Sequence, residues 1–131
     1  MISNQSKKQY PKHGSRRVVI VDDNPQVLQD LRIFFEMLSK VETIGEAANG
    51  QEAICLVQKL KPDVVVMDLE MPVMDGYEAT LKIKANSAAP RVVILSVHAG
   101  SDVQEKVKTV GADEFVIKGA NFETLVNAIL G

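Results

Sequence analysis

The chain has 131 residues, of which 46% are hydrophobic and 24% are charged, and this balance predicts one folded domain with a substantial core. The formal net charge of −2 gives no indication of nucleic-acid binding, and we expect no direct binding of nucleic acid by this domain. The single cysteine excludes an intramolecular disulfide. Because no apolar run has the length of a signal peptide or a membrane span, we expect a cytoplasmic protein without membrane contact.

Residues 1–15 form a polar stretch that precedes the regular patterns. The stretch carries three lysines, and Pro11 and Gly14 interrupt any periodicity. We predict a flexible polar leader over 1–15 and a folded domain over 16–131. A basic arm for an acidic partner or for nucleic acid is the alternative interpretation, which the shortness of the stretch and the lack of a helical stripe disfavour.

From residue 17 onward, strand-like runs alternate with helical patterns. The strands are predicted at about 17–22, 43–48, 63–68, 91–96 and 114–117. The helices are predicted at about 25–38, 50–60, 76–86, 101–110 and 121–130. The first helix begins at Pro25 with Asn24 as its N-cap, and the second contains Cys55, which we predict to pack in the core.

The strand-like runs themselves indicate the kind of sheet. Those at 64–67 and 92–95 are entirely apolar, which is typical of strands buried on both faces of a parallel sheet that helices cover. We therefore predict an α/β fold of the doubly wound (βα)5 type. Its five-stranded parallel sheet takes the flavodoxin-like order 2-1-3-4-5, which leaves a crevice beside the first and third strands.

Three carboxylates follow the two strands that border this crevice. Asp22 and Asp23 come directly after the first strand, and Asp68 follows the third. The carboxyl ends of parallel strands lie at one edge of the sheet, so these acids should meet there. Unpaired carboxylates at close range repel one another, and a hard divalent cation such as Mg²⁺, which prefers oxygen ligands, would remove that conflict.

Two further polar residues end strands at the same edge. Ser96 closes the fourth strand and Lys118 follows the fifth. A lone serine there is usually a cap, and a lone lysine is usually a solvated surface charge. A polar group at each of four strand ends, however, predicts a single pocket with three carboxylates, a hydroxyl and an ammonium.

These residues and their surroundings resemble the receiver domains of response regulators in two-component signal transduction. The resemblance rests on 21–23 (VDD), on 67–76 (MDLEMPVMDG), on Ser96 and on 111–118 (GADEFVIK). It covers about 16–130. It implies a signalling phosphoacceptor, which catalyses only its own phosphoryl transfer and dephosphorylation and is not otherwise an enzyme.

The resemblance also implies a role for each site residue. Asp68 would accept a phosphoryl group from a histidine kinase or a phosphotransfer protein, in a reaction that requires Mg²⁺ or, in its place, Mn²⁺. Asp68 would also be a metal ligand, with Asp23 binding the metal directly and Asp22 mainly through water. The remaining implied roles are metal ligation by the backbone carbonyl of Glu70, phosphoryl binding by Lys118 and Ser96, and a conformational switch formed by Ser96 and Phe115.

The sequence departs from the common receiver pattern at two positions. Gly119 follows the lysine where many receivers have proline, as in receivers of LuxR-type regulators, and Phe115 stands in place of the commoner tyrosine. Glu70 and His98 each lie two residues beyond a site residue, and the resemblance implies that these positions influence the lifetime of the phosphorylated state. For His98, we favour a surface loop residue over a direct role in proton transfer.

Several functional alternatives stay open at this point. A homodimer or an output partner would use the surface formed by the fourth helix, the fifth strand and the fifth helix. A receiver-like interaction module that is never phosphorylated is one rival, and a phosphatase of the haloacid-dehalogenase type is another. The phosphatase would need a second aspartate two residues after its nucleophile, where this chain has Glu70. A flavodoxin would need a phosphate-binding loop where Asp22 and Asp23 stand.

Overall fold

The computed structural model of the protein describes residues 14–131, so most of the predicted leader lies outside the described residues. The strands are β1 (Arg16–Val21), β2 (Val41–Ala47), β3 (Val64–Met67), β4 (Arg91–Ser96) and β5 (Glu114–Ile117). The helices are α1 (Pro25–Glu36), α2 (Gly50–Leu60), α3 (Gly76–Lys84), α4 (Ser101–Thr109) and α5 (Phe122–Leu130).

The five strands form one parallel sheet in the order β2-β1-β3-β4-β5. This confirms the predicted (βα)5 architecture and strand order. The order reverses between β1 and β3, because the chain moves outward from β1 to the β2 edge and then returns to add β3 on the other side. Side chains that follow β1 and β3 therefore line a crevice that neither connection covers.

Two apolar clusters form the core, one on each face of the sheet. Alternate strand residues such as Val18 and Ile20 contact α1 and α5 on one face, where Phe35 is fully buried. Their neighbours Val19 and Val21 face the other way, toward α2, α3 and α4. The alternation follows from the period of two in a β-strand, and burial on both faces explains why β3 has no polar residue.

Side-chain caps fix the beginnings of four helices. Asn24, Asn49, Asp75 and Asn121 each accept a hydrogen bond from a backbone N–H in the first turn of the helix that follows. Such caps typically contribute about 1 kcal/mol each. The predicted Asn24 cap and the first helical position of Pro25 are confirmed. Helix α4 differs, because its N-cap is Gly100, which has no side chain to cap with.

Two sequence predictions need correction. Strand β2 begins at Val41, before the predicted residue 43, and most of its residues are only half-buried, which weakens the apolar alternation that marks a strand. Cys55 is exposed rather than packed in the core, since α2 turns Ala53 toward the sheet and Cys55 toward solvent.

In the part of the chain that the structure describes, no helix has the length and apolar character needed to cross a membrane.

Candidate functional site

The register of the sheet brings the three acids together. Val21 on β1 is paired with Met67 on β3, so Asp22 and Asp68 are the next residues on adjacent strands, and the N–H of Asp68 donates to the carbonyl of Val21 at 3.0 Å. One carboxylate oxygen from each of Asp22, Asp23 and Asp68 lies within 4.8 Å of the others. The predicted acid cluster is therefore present at the crevice.

Lys118 reaches this cluster from the far side of β4. Its Nζ donates a hydrogen bond to Asp22 Oδ2 at 2.7 Å and lies 3.4 Å from Asp68 Oδ1. Asp22 is almost fully buried, and its other oxygen accepts a hydrogen bond from the backbone N–H of Asn24 at 2.9 Å. The pairing compensates a buried charge that would otherwise destabilise the fold.

The glycine after Lys118 determines the path of the chain into α5. Gly119 has a φ of +96°. Proline, with φ fixed near −65°, cannot adopt this conformation, and other residues adopt it rarely. The departure from the common receiver pattern therefore has a structural counterpart, since this loop turns where a proline would not fit.

The pKa values of Asp68 and Lys118 are both raised, but from different causes. Burial, followed by repulsion from Asp22, raises the pKa of Asp68 even though Lys118 opposes the change. Burial alone would lower the pKa of Lys118, but the hydrogen bond to Asp22 and the charges of both acids raise it overall. The pocket thus holds a positively charged Lys118 beside Asp68, whose ionised form is energetically unfavourable in the fold.

The donor set of the pocket fits a hard divalent cation. The three clustered acids offer carboxylate oxygens and no nitrogen or sulfur, which is the preference of Mg²⁺ and Mn²⁺. Asp23 is exposed and Asp22 is buried, so one acid faces solvent, where a hydrated ion would enter, and the other lies behind it. A cation at this position would also relieve the unfavourable ionisation of Asp68.

Ser96 and Phe115 lie on neighbouring strands and on the same face of the sheet. Ile94 is paired with Phe115, and Ser96 is two residues beyond Ile94 on β4, so the period of two directs all three side chains to one side. Ser96 is buried, and its Oγ accepts a hydrogen bond from the backbone N–H of His98 at 3.2 Å. Phe115 is half-buried against the core cluster that faces α4.

Glu70 and His98 contact each other beyond the ends of β3 and β4, at the same edge of the sheet as the acids. Their side chains approach to 3.2 Å between Glu70 Oε1 and His98 Nε2, and both are largely exposed. A cleft of about 490 Å³ lies beside them, lined in part by Tyr77 and Val103. The sequence places these two residues near the pocket, and the structure adds that they form a pair.

A strained turn in the loop after β3 is a feature that the sequence analysis missed. Val73 has a φ of +68°, which a β-branched residue rarely adopts, and its side chain is 83% exposed. The N–H of Met74 donates to the carbonyl of Pro72 at 2.7 Å, which closes a three-residue turn around Val73. The motif at 67–76 signals an unusual loop, but no sequence pattern identifies which residue carries the strain.

Comparison with known proteins assigns the chain to a family. A family model described as the response regulator receiver domain matches residues 18–130. The chain belongs to this family. The acidic pocket and the five-stranded sheet are therefore those of a receiver domain, and the resemblance inferred from the sequence motifs is confirmed.

The receiver domain is similar to the corresponding parts of curated transcriptional regulators. It is 35% identical over 113 residues to the transcriptional regulatory protein LiaR of Bacillus subtilis, covering 86% of this chain and 54% of LiaR. It is 37% identical over 116 residues to the transcriptional regulatory protein PdtaR of Mycobacterium tuberculosis, covering 87% of this chain and 55% of PdtaR. The chain thus spans about half the length of these relatives.

Solved structures of receiver domains share the fold. A two-component response regulator of the LuxR family from Aurantimonas matches with a TM-score of 0.83 and 36% identity over 88% of this chain and 83% of that one. The receiver domain of the putative response regulator NarL from Mycobacterium tuberculosis matches with a TM-score of 0.84 and 28% identity, over 88% and 94%. The second protein confirms the flavodoxin-like order of this receiver domain.

Proposed function

We propose that Asp68 accepts a phosphoryl group from a histidine kinase or a phosphotransfer protein, and that the phosphorylated domain changes the surface offered to a partner. The proposal rests on one observation, the placement of Lys118 Nζ 2.7 Å from Asp22 and 3.4 Å from Asp68 at the edge of the sheet. This arrangement puts a fixed positive charge beside a carboxylate that is 12% exposed and therefore accessible to a donor.

The chemistry needs charge neutralisation more than covalent assistance. An Asp68 oxygen forms a bond to phosphorus as the bond from phosphorus to the donor's imidazole nitrogen breaks, and the imidazole retains the electron pair. Repulsion between a carboxylate and a phosphoryl group opposes this step. Lys118 lowers the repulsion from one side, and preorganised charges of this kind supply most of the catalysis in phosphoryl transfer.

We propose that the pocket would hold a Mg²⁺ ion, or Mn²⁺, at its three clustered acids. Asp23 would bind it directly and Asp22 mainly through water, with Asp68 and the backbone carbonyl of Glu70 as further ligands. When bound, the ion neutralises charge on the phosphoryl oxygens. The support for this assignment is the oxygen-only donor set and the contrast between exposed Asp23 and buried Asp22.

Phosphorylation by a small donor tests the proposal. Wild-type protein incubated with acetyl phosphate and Mg²⁺ should gain the mass of one phosphoryl group, and peptide mapping should place it on Asp68. Chelation of the metal with EDTA should prevent the gain, because the repulsion is then only partly neutralised. A protein that stays unmodified under these conditions would support the interaction module that is never phosphorylated. Sustained hydrolysis of a general phosphatase substrate would support the phosphatase.

The two adjacent acids should differ in their contribution to metal binding. Asp23→Ala should weaken Mg²⁺ or Mn²⁺ binding more than Asp22→Ala, since a directly bound oxygen contributes more than one that acts through water. Titration of each variant with Mn²⁺, followed by the relaxation of water protons, measures the order. A larger loss in Asp22→Ala would reverse the assignment of the two acids, provided that both variants are folded by circular dichroism.

We propose that Ser96 and Phe115 transmit the modification. In the structure, Ser96 Oγ accepts a hydrogen bond from the N–H of His98. When a phosphoryl group is present, the Ser96 hydroxyl gains a charge-assisted hydrogen-bond partner. If Ser96 moves toward that group, Phe115 on the same face can occupy the space that it leaves. The movement would change α4, β5 and α5, and we propose this surface for a homodimer or an output partner. Phe115 has no phenol oxygen and acts by packing alone.

Glu70 and His98 are proposed to set the lifetime of the phosphorylated state. Glu70 follows β3 and His98 follows β4, so their contact at 3.2 Å lies at the edge of the sheet that holds the acids. We propose that an attacking water passes beside this pair. The double variant Glu70→Ala, His98→Ala should therefore still be phosphorylated while its dephosphorylation rate changes severalfold. Loss of the phosphoryl group over time, followed by mass spectrometry, gives the rate. An unchanged rate would assign both residues to the solvated surface. Asp102→Ala, on α4 beside the same cleft, is the matched control.

We further propose that the functional unit is the domain over 16–131 and that residues 1–15 form a leader outside it. The family match to residues 18–130 supports the first boundary within two residues. The matched region covers only 54% of LiaR and 55% of PdtaR. We propose that the output of this receiver domain is a partner or domain that binds the α4, β5 and α5 surface.

A further inference from the structure

The loop that follows Asp68 is held in a closed shape by its own backbone. The N–H of Gly76 donates to the carbonyl of Leu69 at 2.8 Å, so the two ends of the loop meet. The turn at Val73 lies between them and is strained by its φ of +68°. Strained conformations persist only where neighbouring structure enforces them, and they concentrate at functional sites. Something outside the loop must therefore hold it.

Helix α2 supplies that restraint at its first residue. The N–H of Gly50 donates to the carbonyl of Met74 at 2.9 Å, directly after the strained Val73. A Cβ placed on Gly50 would lie 2.7 Å from Met74 O, 2.9 Å from Met74 Cγ and 2.9 Å from Ala79 Cβ. The first of these is a backbone atom, which cannot rotate away. Any side chain at Gly50 would consequently push the loop from its position.

We infer that Gly50 is a positioning residue for the metal-binding pocket. It touches neither the metal nor the phosphoryl group, and it acts by letting α2 approach the loop closely enough to fix Met74. The loop begins at Asp68 and contains Glu70, so its position sets the geometry of two of the four proposed metal ligands. The inference rests on the proposed metal binding at this pocket and extends it to a residue on another helix.

Gly50→Ala tests this role through metal affinity. The variant should bind Mg²⁺ at least about tenfold more weakly than wild type, as is usual when a residue that orients metal ligands is changed. Two-dimensional NMR measures the affinity and, in the metal-free protein, should show amide shifts concentrated at residues 68–76. Measurements at a temperature well below either melting point separate positioning from loss of fold.

Gly45→Ala is the matched control. A Cβ there would meet Leu60 Cδ1 at 3.0 Å and Leu56 Cδ1 at 3.3 Å, which are the movable ends of side chains on the same helix. It should disturb the packing of α2 and leave the Mg²⁺ affinity within about twofold of wild type. Equal affinities in Gly50→Ala and wild type would overturn the inference. If wild-type protein itself binds no Mg²⁺, the proposed metal site is wrong instead.

A second variant covers the case in which Gly50→Ala does not fold. The double variant Gly50→Ala, Ala79→Gly removes the overlap with Ala79 Cβ and keeps both overlaps with Met74. It should fold and still bind Mg²⁺ more weakly than Ala79→Gly alone. Affinity equal to that of Ala79→Gly would show that the Met74 contact does not matter. If both Gly50 variants are unfolded, Gly50 serves folding rather than positioning, and the inference is wrong.

Discussion

Asp68→Asn is expected to lose phosphorylation and to gain thermal stability in the same protein. Labelling by acetyl phosphate should fall at least about a hundredfold, because an amide cannot act as the nucleophile that the carboxylate provides. Stability should rise at neutral pH without Mg²⁺, since burial and the charge of Asp22 make the ionised form of Asp68 unfavourable in the fold.

The pH dependence of this stability gain follows from the raised pKa of Asp68. An unfolded aspartate ionises at about pH 3.9, and the folded one ionises at a higher pH. Wild-type protein therefore loses stability as the pH rises through that window, and below it the loss is absent. The melting-temperature difference between Asp68→Asn and wild type should be greatest at neutral pH and should shrink below about pH 4.

Added Mg²⁺ and a control variant make the result specific. Mg²⁺ should raise the melting temperature of wild type and reduce the advantage of Asp68→Asn, because the ion favours the ionised carboxylate. Asp30→Asn, which changes an exposed acid on α1, should keep full labelling. Labelling that persists in Asp68→Asn would place the phosphoryl group elsewhere. A lower melting temperature at neutral pH would contradict the direction of the Asp68 pKa.

Lys118→Met should also label poorly but, unlike Asp68→Asn, it should be less stable than wild type. The change leaves Asp22, whose side chain is 3% exposed, without its cationic partner. We expect a loss of about 3 kcal/mol, at the low end for a broken buried pair, because Asp22 keeps its hydrogen bond from Asn24. Labelling by acetyl phosphate should slow by about a hundredfold or more, as when one fixed donor is removed from a reacting oxyanion.

Urea denaturation with and without Mg²⁺ checks the expected loss. Mg²⁺ should restore part of the stability of Lys118→Met, since it returns positive charge to the acids. The raised pKa of Lys118 means that its contribution is complete below about pH 10.4 and is lost only as the pH rises past its folded value. Lys84→Met serves as the comparison, because its partner Asp113 is 31% exposed and keeps a hydrogen bond from Val92. Equal losses in the two lysine variants would refute the special role of Lys118.

The sequence was sufficient to predict the fold and the membership of the acid cluster. Both predictions depend on local sequence patterns, namely the apolar runs at β3 and β4 and the polar residue at the end of each run. The predicted bounds were least accurate for β2, because this half-buried edge strand lacks a continuous apolar pattern. Cys55 was placed on the wrong face of α2, because a helix with apolar residues on several sides does not reveal its orientation.

Contacts between distant segments were beyond prediction from local patterns. The carbonyl of Met74 meets the N–H of Gly50 because the loop after β3 and the beginning of α2 lie together in the fold, and neither sequence segment indicates the other. Val73, with its strained φ of +68°, lies directly before Met74. The direct contact between Glu70 and His98 depends in the same way on how far two loops extend from the sheet. Such pairings are properties of the assembled fold.

The two outer strands of the sheet limit how this domain can associate with other chains. On β2, the pairing with β1 shifts between Thr43 and Gly45, so Ile44 forms a bulge that breaks the regular row of backbone donors and acceptors. On the other side, β5 has only four residues. Interrupted and short edges are poor templates for adding a strand from a second molecule, and they oppose aggregation by edge-to-edge pairing. These edges thus leave the domain able to present its other surfaces to a partner without its sheet growing into that of a neighbour.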